Sequence, residues 1–368
     1  RIVMLGACPY PVPQGSQIFL RDNALALRSR GHEVHLVVYG HGIGKDTTGL
    51  PIHRCRRIPG GARTDAGPFL AKPALDVALA FTLRRVVREA RIDLVCAHNY
   101  EALLVALAAG VRPILYHAHN AMSDELPYYF RWKTLPTWLG RWLDCTFPKH
   151  ADRVVAPHRR LAGHLIVRGC PHDKVVIVPP PVDADRFDPV TPTRDTPPVL
   201  YTGNLDAYQN IGLLFEAMAL VRKAKPDARL VIATAQQTCL PGAEIVPTPG
   251  FDALKRLLAQ DSVFAVPRVS WSGYPIKLLN AMAAGKAIVA CQSAAYPITH
   301  EETGLIAPDN DARAFADAIL RLMNDHRLRA ELGARARETA LKEYRPSHVA
   351  ELLEQVALEV VAARSGAQ

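Results

Sequence analysis

Two stretches of the chain carry side chains suited to chemistry on a polar, charged substrate. His117 and His119 follow the apolar run Pro113-Ile114-Leu115-Tyr116. That places imidazoles at the carboxyl end of a strand, where ligands sit in open α/β sheets and where a ring can hydrogen-bond a hydroxyl or a developing charge. His98 ends the similar run 94–97 and reads as wall more than as catalyst. Farther on, Ser272-Gly273-Tyr274-Pro275-Ile276-Lys277 opens a helix, with Pro275 suited to its first position. Free backbone N–H groups there favour an anion, and Lys277 adds charge. Gly15-Ser16 ends a Pro-rich loop at another helix start and offers a weaker version of the same device; ordinary turn chemistry is the alternative at both places.

The elements that must position these groups alternate. Short apolar runs at 2–5, 34–39, 94–97 and 114–116 are separated by amphipathic stretches at 16–29, 74–90 and 101–109. This is the pattern of βαβ units and a parallel sheet. Ser16 is the expected N-cap of the first helix, and Gly31 stops it. A second series runs 199–202, 210–224, 230–233, 252–259, 263–266, 275–284 and 287–290, after Pro179-Pro180-Pro181 and a helix-free 185–198. Beyond 310 the pattern is helical only, with a last helix after Pro346. Two Rossmann-like halves joined by a stiff linker follow from this.

Composition narrows the class. With 368 residues, 49% of them hydrophobic, the chain can bury two cores. Its net charge of +9 sits in the first half, where residues 1–190 hold 25 Lys and Arg against 16 Asp and Glu while 191–368 hold 19 of each. One basic face on one domain fits better than a nucleic-acid coat. Seven scattered cysteines, with no Cys-x-x-Cys and no His/Cys pair at zinc spacing, argue against a disulfide framework or a structural metal and suit a reducing, cytoplasmic setting. No apolar run approaches a membrane span, and residues 1–6 read as a strand instead of a cleavable signal. After the first strand the spacing is not Gly-x-Gly-x-x-Gly, and no Walker pattern occurs, which disfavours a nicotinamide dehydrogenase and a P-loop enzyme.

The chain resembles glycosyltransferase family 4 in ordered pieces along almost its whole length. In the first half these are Pro13-Gln14-Gly15-Ser16, 25–34, Ala97-His98 and Tyr116-His117-Ala118-His119-Asn120. In the second they are Tyr201-Thr202-Gly203-Asn204-Leu205, the run 273–286 with Ala281-Met282-Ala283-Ala284-Gly285-Lys286, and Glu302-Thr303-Gly304-Leu305-Ile306. The resemblance implies a GT-B fold: an acceptor domain over 1–184, a nucleotide-sugar domain over 197–345, a cleft between them, and a helix over 346–368 returning to the first domain. It further implies retaining, metal-independent transfer from a nucleoside-diphosphate sugar, which serves as co-substrate with no other cofactor. Agreement on metal comes from the histidines, which are not at ligand spacing with cysteines or carboxylates.

By the same resemblance, Gly15, Ser16, Gly203, Asn204, Gln209, Gly250, Phe251, Arg268, Ser272, Gly273, Tyr274, Pro275, Ile276 and Asn280 bind the donor; His117, His119 and Lys277 are catalytic; and His98, Asn120, Glu125 and Trp132 meet the acceptor. Departures are specific. Ser272 and Asn280 stand where the family usually has two glutamates eight apart, and Asn204 and Gln209 where it commonly has Arg and Lys. Three readings follow: Lys277 and Arg268 compensate, or the chain is a non-catalytic nucleotide-sugar-binding module, or it is an epimerase of the same fold. Ser123 or Asp124 could cap a helix beside Glu125.

Residues 128–147 hold seven of the 25 aromatic residues, including Trp132, Trp138 and Trp142, mixed with Arg131, Lys133 and Arg141. Rings beside cations suit a lipid headgroup region and a lipid-linked acceptor, reached peripherally at an anionic membrane. The alternatives are rings that cap the domain core and a soluble acceptor; nucleic acid is not expected.

Overall fold

The computed structural model describes residues 1–12, 15–63, 67, 69–193 and 195–365. Pro13 and Gln14 of the first motif lie outside the described residues. The chain forms two compact units: Arg1–Pro181 with Ser272–Tyr274 and Pro346–Gln368, and Val182–Trp271 with Pro275–Arg345.

Unit 1 is built on seven parallel strands: β1 (Ile2–Gly6), β2 (Val34–Val38), β3 (Ile52–Arg54), β4 (Leu94–His98), β5 (Ile114–His117), β6 (Arg153–Ala156) and β7 (Val175–Ile177), in the order β3-β2-β1-β4-β5-β6-β7. The central strands are buried along their length because helices cover both faces, hence their continuous apolar runs. Strand order reverses between β1 and β4. In register, Gly6 pairs with His98 and His98 with His117, so three strands end side by side at that switch point.

Unit 2 repeats the scheme with six parallel strands: β8 (Val199–Thr202), β9 (Leu230–Thr234), β10 (Glu244–Pro247), β11 (Val263–Val266), β12 (Ala287–Cys291) and β13 (Leu305–Ala307), in the order β10-β9-β8-β11-β12-β13. Its switch point lies between β8 and β11, with Gly203 directly after one and Arg268 two residues after the other. Val199, Tyr201, Met218, Ile232, Val289 and Phe315 belong to its core.

The last helix, Pro346–Ser365, packs in unit 1. Val349, Leu353, Val356 and Val360 join Ile2, Met4, Leu94 and Leu27 in one buried cluster. Glu354 fixes its register through Arg30 at 2.6 Å and His32 at 2.9 Å.

Several local expectations change. β3, β6, β7, β10 and β13, three or four residues each, are absent from the apolar alternation: β3 is Ile-His-Arg and β10 begins at Glu244. The first helix starts at Gly15, so Ser16 lies in its first turn and donates to Gln17 Oε1 at 2.8 Å instead of capping it. Pro275 is the N-cap and not the first helical residue of Ile276–Ala283.

Leu353, with no exposed surface, is the central anchor of the returning helix. Leu353→Ala is expected to destabilise unit 1 by about 3 kcal/mol in a urea titration, since a buried leucine leaves a cavity that the surroundings only partly refill.

Candidate functional site

Because β4 and β5 end abreast, His98 and His117 stack with centroids 4.2 Å apart at 12°. His119, two residues past β5, brings Nε2 to 3.2 Å from His98 Nδ1. Phe19, from the Gly15–Ser29 helix, borders all three rings at 5.0 to 6.4 Å. His117 is 1% exposed, and neither of its ring nitrogens has a hydrogen-bond partner; His98 Nε2 has none either. Burial first, and neighbouring imidazoles second, depress these groups: His117 to about 3 and His98 well below 6.5, while burial alone takes His119 to about 4. All three rings are neutral at pH 7. They can donate and accept hydrogen bonds but bring no positive charge. His119 is the more exposed of the two at β5 and adjoins Asn120.

Asn120 Nδ2 donates to one oxygen of Glu125, and Tyr129 Oη donates to the other at 2.7 Å. The turn that carries Glu125, Met122–Glu125, is held by a residue the sequence reading did not single out. Buried Asp144 accepts from Met122 N at 2.9 Å, Ser123 N at 3.1 Å and Ser123 Oγ at 2.7 Å, and faces His164 Nε2 at 3.0 Å. Ser123 therefore bonds Asp144 and caps nothing. Asp144 lies 21 residues from Ser123, so no local pattern announces it. In the same unit Asp124 accepts from Ser272 N at 3.1 Å and Ser272 Oγ at 2.7 Å, and His158 Nε2 lies 3.1 Å from Ser272 O. Gly273 and Tyr274 follow, with the Tyr274 ring 6.1 Å from His158.

Asp144 sits on the inner face of the helix Thr134–Thr146, with Pro136 and Gly140. A side chain at Gly140 would collide with the Met122 carbonyl, which is why the helix packs so closely there. Its outer face is Leu135, Trp138, Leu139 and Trp142, and the rings are not core: Trp132 is 82% exposed, Trp138 64% and Trp142 48%.

At the switch point of unit 2, one linked set of polar groups occupies the mouth of the sheet. Lys277, in the first turn of Ile276–Ala283, donates from Nζ to Tyr201 Oη and to Gln209 Oε1, both at 2.9 Å, and lies 4.1 Å from the Tyr201 ring centroid. Tyr201 Oη donates in turn to Asn204 O at 2.5 Å. Asn204 accepts from Gln209 Nε2 at 2.7 Å, and its own amide reaches Asp206 at 2.6 Å and Tyr208 Oη at 2.9 Å. Gly203 is at φ +123, and a Cβ there would stand 3.0 Å from Lys277 Nζ, so glycine is needed for both backbone and space. Arg268 bonds Ser270 O at 3.1 Å and Oγ at 3.2 Å and lies over the Tyr208 ring at 5.1 Å. Burial, then Arg268, holds Lys277 well below the usual lysine range, against the pull of Asp206.

Asn280 is one turn along the same helix. Gly250 precedes the helix Phe251–Leu258, and the Phe251 ring is flanked by Phe187 at 5.4 Å and Arg186 at 4.2 Å. Gly15, Ser16, His98, His117, His119, Asn120 and Glu125 thus belong to unit 1, and the Lys277 set to unit 2; Gly250 and Phe251 are in unit 2 but outside that hydrogen-bonded set. Among the described residues no three His, Cys, Asp or Glu side chains gather as a metal site, and all seven cysteines are unpaired.

Two parallel-sheet units of this kind, with polar groups at their switch points, define a class, and comparison with known proteins supplies it. Residues 13–186 match the model described as Glycosyltransferase Family 4, and residues 196–325 the model described as Glycosyl transferases group 1. The fold is that of Anabaena HepE solved with UDP and glucose, at TM-score 0.74 and 16% identity over 97% of this chain and 98% of that one. The chain is a GT-B glycosyltransferase. More narrowly, its first half is similar to glycosyltransferase family 4. It is 26% identical to the amylovoran biosynthesis glycosyltransferase AmsK of Erwinia amylovora over 46% of this chain and 47% of that protein, so the match spans about half the relative's length. It is 24% identical to the phosphatidyl-myo-inositol mannosyltransferase of Mycolicibacterium smegmatis over 90% of this chain and 87% of that one.

The depressed histidines give a pH signature. Neutral in the fold to about pH 4, yet titrating at 6.5 when unfolded, they make the unfolded state bind more protons between those values, so stability falls as pH drops from 6.5 towards 4. Chemical denaturation across that range is expected to show a shallower fall in His117→Gln than in the wild type.

Proposed function

We propose that the protein transfers a sugar from a nucleoside-diphosphate sugar to a lipid-linked acceptor hydroxyl at the cytoplasmic face of a membrane, with retention and without a metal ion. The observation that carries this reading is the Lys277 set. Where the family commonly places Arg and Lys, this chain has the amides Asn204 and Gln209, and the amine of Lys277 rests on Gln209. Lys277 and Arg268 thus stand in for the displaced cations and neutralise the leaving diphosphate, the task a bound cation performs in metal-dependent enzymes. Gly203 leaves room for the phosphates, the 273–276 backbone adds N–H donors, Asn280 meets the ribose, and Gly250 and Phe251 adjoin the base.

On the acceptor side, His119 and His117 serve the reacting hydroxyls as neutral hydrogen-bonding groups, with His98 as their support and Asn120, Glu125 and Trp132 toward the acceptor. Support for a lipid-linked acceptor comes from the relative named for phosphatidyl-myo-inositol. The outward Trp138 and Trp142, on a helix that also carries Arg141, support contact with an anionic surface. The relatives' names favour transfer over epimerisation or binding alone.

A panel of uridine- and guanosine-diphosphate sugars tests the donor half. Release of free nucleotide is expected with one of them, unchanged by EDTA, and Lys277→Met is expected to lower kcat about 100-fold, the loss typical of one donor to a developing anion. Binding without release from any donor would contradict transfer, and loss of release on chelation would contradict metal independence. Co-sedimentation with anionic vesicles tests the surface: Trp138→Ala/Trp142→Ala is expected to cut the bound fraction several-fold, and added salt to reduce it further. Binding indifferent to both would remove the membrane from the account.

A further inference from the structure

Lys277 has a hydrogen-bond count that fits an amine better than an ammonium. An ammonium carries three donors, a neutral amine two. The protein supplies two acceptors, Tyr201 Oη and Gln209 Oε1. Tyr201 has committed its own proton to Asn204 O, so its oxygen is free to accept. No carboxylate forms an ion pair with Lys277 among the described residues. The ionisable groups acting on it are Tyr201 from β8, Asp206 from the segment after it, and Arg268, itself over the Tyr208 ring, from the segment after β11; its own helix Ile276–Ala283 adds no other charge. Arg268 outweighs Asp206, and burial, the larger effect, acts in the same direction, towards the neutral form.

We infer that Lys277 rests as a neutral amine and takes up a proton when the donor's diphosphate arrives. The inference rests on the proposed donor role of Lys277 and adds a charge change to it. The incoming phosphates supply the counter-charge and a third acceptor beside Tyr201 Oη and Gln209 Oε1. The proton comes from solvent and stays on Nζ; no bond to Lys277 is made or broken otherwise. Resting neutral has a physical consequence: Lys277 and Arg268 do not repel each other until there is an anion to share. Because the complex holds one proton more than the free partners, affinity falls as pH rises, by up to tenfold per unit.

Isothermal titration of the full chain with UDP and with GDP, in buffers of different ionisation enthalpy at pH 8, counts that proton directly. At this pH the nucleotide's own phosphates are fully ionised. The expected result is uptake approaching one proton per nucleotide in the wild type and close to none in Lys277→Arg, whose guanidinium is always charged. Nucleotide binding with no uptake in the wild type, or with the same uptake in Lys277→Arg, would overturn the inference while leaving the donor reading intact. If neither nucleotide binds, the donor reading itself falls and the inference with it. Thermal unfolding without ligand shows whether Lys277→Arg is folded, and Lys277→Gln, neutral and unable to gain a proton, is the second variant: it is expected to bind at least tenfold more weakly, again without uptake.

Discussion

On the proposed reading, a diphosphate leaving group needs positive charge placed before it departs, and in unit 2 Lys277, in the first turn of one helix, supplies it together with Arg268. Lys277 bonds Tyr201 and Gln209 in the space beside Gly203, whose backbone at φ +123 favours glycine. The surrounding substitutions make sense around that contact. An amide at 209 accepts from the amine where a lysine would repel it, and Asn204 holds Gln209 in place.

What supports the arrangement is the pair of parallel sheets. Each reverses its strand order once, and each gathers its polar groups at that reversal: the three histidines beyond β4 and β5 in unit 1, the Lys277 set beyond β8 and β11 in unit 2. The two sites are opposite in character. Stacked, buried imidazoles are neutral and suited to hydroxyls; the lysine and arginine are suited to an anion. The excess charge of the first half is carried by Lys and Arg and not by its histidine cluster.

Much of this was legible in the sequence. Continuous apolar runs marked the buried strands, and the His at the end of 94–98 and those after 113–116 fell where strand ends were expected. Edge strands were not legible: Ile-His-Arg at 52–54 has neither run nor alternation, and its strand character comes from pairing with β2. Trp138 and Trp142 stood out in the sequence as aromatics among cations, but nothing there said which side of a helix would face the protein. Here the small and acidic stripe, Pro136, Gly140 and Asp144, is the inner one, since Asp144 has backbone N–H groups to satisfy. The partners of Lys277 were hidden for another reason: 76 and 68 residues separate it from Tyr201 and Gln209, and only the meeting of β8 with the Ile276–Ala283 helix brings them together.

The most direct test of the central claim is a crystal structure of the nucleoside-diphosphate complex. The account predicts the β-phosphate within hydrogen-bond distance of Lys277 Nζ, with Arg268 beside it and Gly203 against the phosphate oxygens. Phosphates bound away from Gly203, with Lys277 still resting on Tyr201 and Gln209 alone, would contradict it.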